Sequence, residues 1–170
     1  MSSVVCSHLS FSWPDDTPLF TDLSLAVGAG RTGLVAPNGA GKSTLLRLIA
    51  GDLHPTAGSV TVEGTLGYLP QTLPLLDDRI VAQLLGVAST LEALDALASG
   101  DSSEAVFAAI GEDWDVEGRT RAQLDRLGLG HVALDRSLHT LSGGEVVTLG
   151  VARELLGVPD VLLLDEPTNN

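Results

Sequence analysis

Three observations in this 170-residue sequence predict an α/β fold with an antiparallel β subdomain at its N-terminus and a helical subdomain inserted into its core. Side chains alternate from Val5 to Trp13 and again through Leu23, Leu25 and Val27, the period of half-buried strands. A short apolar run, Thr32 to Val35, leads straight into the glycine-rich segment Ala36-Pro37-Asn38-Gly39-Ala40-Gly41-Lys42-Ser43-Thr44 and then into a helical pattern. A second apolar run, Val161 to Leu164, ends on Asp165-Glu166 after a long stretch rich in Ala, Leu and Glu.

In chain order, the two alternating segments read as a hairpin joined by Pro14-Asp15-Asp16-Thr17-Pro18, since Pro and Asp set turn geometry. Gly28 to Gly30 reads as a turn and Thr32 to Val35 as a strand. Ser43 to Ala50 reads as a helix stopped by Gly51, a residue suited to the left-handed C-cap. Val60 with Val62 and Leu66 with Tyr68 suggest two further short strands. From Arg79 the apolar positions Leu84, Ala88, Leu91, Leu94 and Leu97 recur at three- and four-residue steps, predicting one amphipathic helix broken at Gly100. Asp101 with Glu104 resembles a capping box for a helix carrying Val106, Phe107 and Ile110. Another helix is expected from Asp115 to near Gly128, with Trp114 as a hydrophobic staple and Arg119, Arg121 and Arg126 on a solvated face. This divides the single domain into residues 1–71 with 141–170 as β subdomain plus α/β core, and 72–140 as helical subdomain.

The loop spacing is that of a phosphate cradle. Successive backbone N–H groups form a concave nest, and the helix that follows adds its positive end. Gly39 and Gly41 permit backbone angles closed to other residues. Lys42 is placed to reach the β and γ phosphates, Ser43 to ligate magnesium and Thr44 to donate to the α phosphate. Ala36 occupies the first glycine position of G-x-x-x-x-G-K-[ST]; only a positive φ there would strain the loop, by about 1–3 kcal/mol. A ligand-free glycine turn is the plainer reading of such a loop, but the agreement of Asn38 to Thr44 with the strand–helix context favours phosphate. Asp165-Glu166 closes what reads as a buried parallel strand, at the sheet edge where ligands bind in open α/β folds. Asp165 is expected to hold magnesium and Glu166 to act as general base on water; a solvated strand end is the alternative. Leu141-Ser142-Gly143-Gly144-Glu145 is by itself a helix N-cap signal.

Composition narrows the class. The 22 acidic against 9 basic residues, a net charge of −13, oppose sequence-independent adhesion to nucleic acid or anionic lipid, and no local basic patch is visible. The apolar runs are too short to span a bilayer and the N-terminus lacks a secretory pattern, so the expectation is a soluble cytoplasmic protein. Cys6, the single cysteine, lies in a strand pattern and reads as a packed thiol. His8, His54, His131 and His139 show neither ligand spacing nor a neighbouring cysteine or carboxylate cluster and read as surface or turn positions.

Taken together, the phosphate loop, LSGGE segment and Asp-Glu strand end resemble a P-loop NTPase of the ATP-binding cassette (ABC) superfamily over nearly the whole chain. The resemblance implies ATP and Mg2+ as ligands. It also implies that Trp13 stacks on adenine, that Gln71 in Tyr68-Leu69-Pro70-Gln71 contacts magnesium and the attacking water, and that Ser142, Gly143, Gly144 and Glu145 face the nucleotide of a second cassette. For Trp13 a half-buried strand residue, and for Gln71 a loop amide, are the plainer alternatives. The run Glu166-Pro167-Thr168-Asn169-Asn170 and the size of the helical insert look like the ABC-F class, whose members act at the ribosome; Thr148 departs from it where many members carry arginine. A nucleotide-binding subunit of a membrane transporter, or an inactive fragment, are the rival readings. Complete members carry a further strand, a D-loop aspartate and a switch histidine after the Asp-Glu strand. The sequence to Asn170 is therefore expected to leave a slot in the sheet beside the phosphate-loop strand, and to be marginally stable.

Overall fold

The computed structural model describes residues 3–71 and 78–166. These fall into two compact units, one made of residues up to Gln71 together with those from Val158, the other ending at Gly157. The first unit carries both predicted strands of the N-terminal hairpin, β1 (Ser3–Ser12) and β2 (Pro18–Val27), paired antiparallel. A third strand, β3 (Ala57–Glu63), pairs with the other edge of β1, giving the order β2-β1-β3. Val4, Cys6, Leu9 and Phe11 of β1 are buried, so the alternation slips between Cys6 and Leu9. The slip is a bulge centred on His8, whose φ is +51°, and the extra residue brings Leu9 and Phe11 back onto the core face. Opposite it Gly58, at φ +80°, leaves the room the bulge needs; a Cβ there would run into the His8 carbonyl. Burial pushes the Cys6 thiol up from its ordinary pKa, as expected of a packed cysteine.

Helix α1 (Lys42–Ala50) lays Leu45, Leu48 and Ile49 against the buried face of β1. It stops where the sequence predicts: Gly51 is left-handed, and its N–H reaches the carbonyls of Arg47 and Leu48. Strand β4 (Leu66–Leu69) pairs in parallel with β5 (Val161–Leu164). Thr65 and Asp160 lock this register: Asp160 Oδ2 accepts from the Thr65 N–H at 2.8 Å, and the Asp160 N–H donates to Thr65 Oγ1 at 3.0 Å.

Two predictions fail in this unit for one reason. Thr32 to Val35 forms no strand, and β5 is only partly covered, with Leu164 39% exposed rather than buried. Thr32–Leu34 and Val161–Leu163 both line an apolar cavity of about 400 Å³, and among the described residues no strand pairs with either segment on that side. A strand is defined by its ladder, and without a neighbour the chain over 32–35 stays irregular.

The second unit is helical. The amphipathic segment expected as one helix is two, α2 (Val81–Leu85) and α3 (Ala88–Ala98), because Gly86 takes a left-handed C-cap with φ +75°. Helices α4 (Glu104–Ile110) and α5 (Val116–Arg126) match their predicted positions. The expected Asp101–Glu104 box does not form: Ser103 is the N-cap residue of α4, and Asp101 instead accepts the Ser103 N–H at 3.0 Å. Trp114 is 54% exposed and tilts against Phe107 rather than stapling a buried face. Arg119 and Arg121 are paired with Asp113 and Glu117 on the solvated side of α5. Helix α6 (Gly143–Leu156) packs Leu149 and Ala152 into a core with Val81, Val116, Leu124 and Val132. It therefore lies in the helical unit, whereas the sequence places 141 onward with the α/β core. Among the described residues no helix is long and apolar enough to cross a membrane.

Candidate functional site

The glycine-rich loop and the end of β5 converge in the first unit. A cavity of about 390 Å³ is lined by Trp13, Leu19, Asn38, Gly39, Gly41, Lys42, Ser43, Thr44, Gln71 and Glu166. Gly39 and Gly41 take φ +82° and +94°, which lets the loop curl back before α1 begins. Ala40 closes a turn by donating its N–H to the Pro37 carbonyl at 3.2 Å. Ala36 has no positive φ, so its methyl introduces none of the backbone strain that the missing glycine threatened.

Lys42 is held in the loop's concavity. Its Nζ donates to the carbonyls of Ala36 at 3.1 Å and Pro37 at 3.4 Å and lies 3.6 Å from Glu166 Oε1. Gln71 Nε2 donates to Glu166 Oε2 at 3.4 Å, so ammonium, carboxylate and amide form one chain of contacts across the cavity. Glu166 reaches this place through a left-handed backbone, φ +46°, directly after the strand. Asp165 is buried, with its N–H on the Leu69 carbonyl at 3.0 Å, continuing the β4–β5 ladder. Desolvation first, and then the Asp165 charge, raise the pKa of the neighbouring Tyr68 hydroxyl.

At the other end of the cavity Trp13 follows β1 and is fixed by a T-shaped contact with Phe11, centroids 5.2 Å apart at 81°. Its ring is 38% exposed. Pro167, Thr168, Asn169 and Asn170 lie outside the described residues. No group of three or more His, Cys, Asp or Glu side chains poised for a metal occurs among the described residues. The oxygen donors of Ser43, Gln71 and Asp165 are hard ligands of the kind that suit Mg2+, which binds protein through few side chains and through phosphate oxygens.

In the second unit, Ser142 caps α6. Its Oγ accepts the Glu145 N–H at 3.3 Å, while Glu145 Oε2 accepts the Ser142 N–H at 2.8 Å and the Ser142 hydroxyl at 2.7 Å. These hydrogen bonds, together with one from His131, hold the Glu145 carboxyl down at about 2. Gly143 and Gly144 fill the first two positions of the helix without side chains of their own.

Three neighbours carry no signal in the sequence pattern. Leu19 and Phe20 support the loop from β2, with Phe20 Cζ 2.8 Å from where a Gly41 Cβ would sit. His131 Nε2 lies 3.3 Å from Glu145 Oε1. Hydrophobic alternation places Leu19 and Phe20 on a strand but gives no sign of what the strand faces; a separation of 14 residues hides His131 from Glu145.

Comparison with known proteins agrees with this geometry. The family model described as "ABC transporter" matches residues 20–169. The chain is 42% identical to the tylosin resistance ATP-binding protein TlrC of Streptomyces fradiae, over 92% of this chain and 33% of that protein. It is 41% identical to an antibiotic resistance protein of Mycobacteroides abscessus, over 99% of this chain and 35% of the relative. The chain thus spans about a third of the length of these relatives. Among solved structures, a bacterial Atm1-family ABC exporter with ATP bound superimposes with a TM-score of 0.74 at 24% identity, covering 99% of this chain and 29% of that one. A nucleotide-free ATP-binding cassette from an ABC transporter gives 0.73 at 22% identity, covering 100% and 71%. The fold, the loop with its lysine, the Asp-Glu strand end and the matched family model have one reading: the chain belongs to the ABC transporter family, as an ATP-binding cassette.

Proposed function

We propose that this cassette binds Mg-ATP on the loop Asn38–Thr44 and, paired with a second cassette, hydrolyses it to ADP and phosphate, using closure and release as mechanical work in an ABC-F-like protein acting at the ribosome. The observation that carries the proposal is the convergence of Lys42, Glu166 and Gln71 within one cavity, with Lys42 Nζ 3.6 Å from Glu166. In this mechanism the loop N–H groups and Lys42 hold the phosphates, Thr44 donates to the α phosphate and Trp13 stacks on the adenine. Magnesium would be held by Ser43, Gln71 and Asp165 and would supply charge neutralisation on the phosphate oxygens. Glu166 takes the proton of the water that attacks the γ phosphorus; the bond to the bridging oxygen breaks and its electron pair leaves with ADP. Ser142, Gly143 and Gly144 present N–H and O–H donors at the start of α6 to the γ phosphate bound by the partner cassette, with Glu145 holding the cap beside them.

The ribosome reading draws on the two antibiotic resistance relatives. A nucleotide-binding subunit of a membrane transporter is the second reading, favoured by relatives such as the zinc import ATP-binding protein ZnuC of Vibrio vulnificus, 36% identical over 90% of this chain. Calorimetric titration with Mg-ATP tests the site: micromolar-range binding that disappears in Lys42→Ala supports it, and superimposable curves refute it. Co-sedimentation of the full-length Glu166→Gln protein with ribosomes in ATP separates the two roles; a pellet without the protein removes the ribosomal one.

A further inference from the structure

Glu145 presents an electrostatic conflict. Residues 142–144 offer hydrogen-bond donors to an anion, yet the fifth position of LSGGE, Glu145, carries a full negative charge. The carboxylate also takes the only proton of the Ser142 hydroxyl, through a 2.7 Å hydrogen bond. That proton is the one Ser142 would have to give a phosphate oxygen. A bare carboxylate here both repels the phosphate and competes for its donor.

The second oxygen of Glu145 is not bare. His131 Nε2 lies 3.3 Å from Oε1, and Arg136 adds positive potential to the same carboxyl. Because Glu145 is ionised at neutral pH and has no proton to donate, the imidazole must carry hydrogen on Nε2 and donate it. The carboxylate is thus divided between its oxygens: Oε2 serves the helix cap and Oε1 serves the histidine. We infer that His131 is a positioning residue for the phosphate contact of Ser142, drawing the Glu145 carboxylate toward itself so that the serine hydroxyl can turn to the γ phosphate of a partner cassette. This rests on the reading of Ser142 as a phosphate contact in trans. His131, with a side chain 62% exposed, makes little packing contribution, so its removal tests charge and orientation rather than folding.

The test is a double-mutant cycle on the full-length protein with its partner cassette, reading KM and kcat for ATP hydrolysis beside calorimetric affinity for Mg-ADP, which lacks the γ phosphate. His131→Ala is expected to raise KM for ATP by about threefold to tenfold, with kcat changed less and Mg-ADP affinity unchanged. Adding Glu145→Gln, which removes the charge and keeps an acceptor for the cap, is expected to return KM to near the wild-type value. A KM unmoved by His131→Ala, or raised by it equally with and without the Glu145→Gln change, overturns the inference while leaving the trans contact standing. Ser142→Ala is the control for the underlying reading: if it leaves KM and kcat unchanged while Lys42→Ala still abolishes Mg-ADP binding, the trans contact itself falls, and the role of His131 with it.

Discussion

Glu166 holds a place beside Lys42 that suits an anion. The ammonium sits on two loop carbonyls and near the carboxylate, an arrangement in which Glu166 stands in for the anion that the loop is shaped to hold. Both side chains keep some solvent, so the pair contributes at most about 1 kcal/mol. Glu166→Gln is therefore expected to tighten Mg-ATP binding by about twofold to fivefold while abolishing turnover, because an incoming phosphate no longer competes with a carboxylate. Titration calorimetry and a phosphate-release assay read the two effects separately; weaker binding in the variant would refute the stand-in. Gly41→Ala is expected to weaken nucleotide binding more than about tenfold, as φ +94° and the Phe20 ring leave no room for a methyl group, at a cost of about 1–3 kcal/mol. At this scale the turns of the loop are legible in the sequence, because Asn38 to Thr44 is a local pattern whose backbone course is set by Gly39 and Gly41. Leu19, Phe20 and His131 are not, because their roles depend on what the fold brings opposite them.

Helix α6 depends on its first turn. The capping box lowers the Glu145 carboxyl from its ordinary value to about 2, so the native state binds this proton more weakly than the unfolded chain. The resulting stability is fully present above the unfolded-state pKa near 4.5 and is lost as pH falls through about 2. The protection of the Glu145 and Val146 amides against exchange, relative to the intrinsic rate at each pH, should fall across that acid window, and the Glu145→Gln variant should lose the dependence. An unchanged pH profile in the variant would dissociate the cap from the shift. Elements are readable from sequence where a single residue decides them: Gly51 ends α1, and Asp115 precedes α5. They are misread where two signals overlap. The leucine spacing across 84–97 is continuous, but the left-handed Gly86 interrupts it, and Ser103 rather than Asp101 begins α4.

Across the molecule, stability is distributed unevenly. β1 is hydrogen-bonded on both edges and covered by α1, whereas the chain at 32–35 and the open side of β5 border an apolar cavity of about 400 Å³. Hydrogen exchange should show Thr32 to Val35 unprotected while the amides of β1 exchange slowest; protection at 32–35 matching β1 would contradict the open slot. Periodicity does not reveal the irregular course of 32–35, since its apolar residues are those of a strand and whether they form one depends on which backbone the fold brings alongside. The buried thiol of Cys6 gives this imbalance a chemical clock. It is the chain's single cysteine and sits on the central strand, so alkylation by a neutral reagent can proceed only when β1 parts from its neighbours. Its labelling rate under native conditions thus times the opening of the sturdiest part of the first unit, without altering a residue.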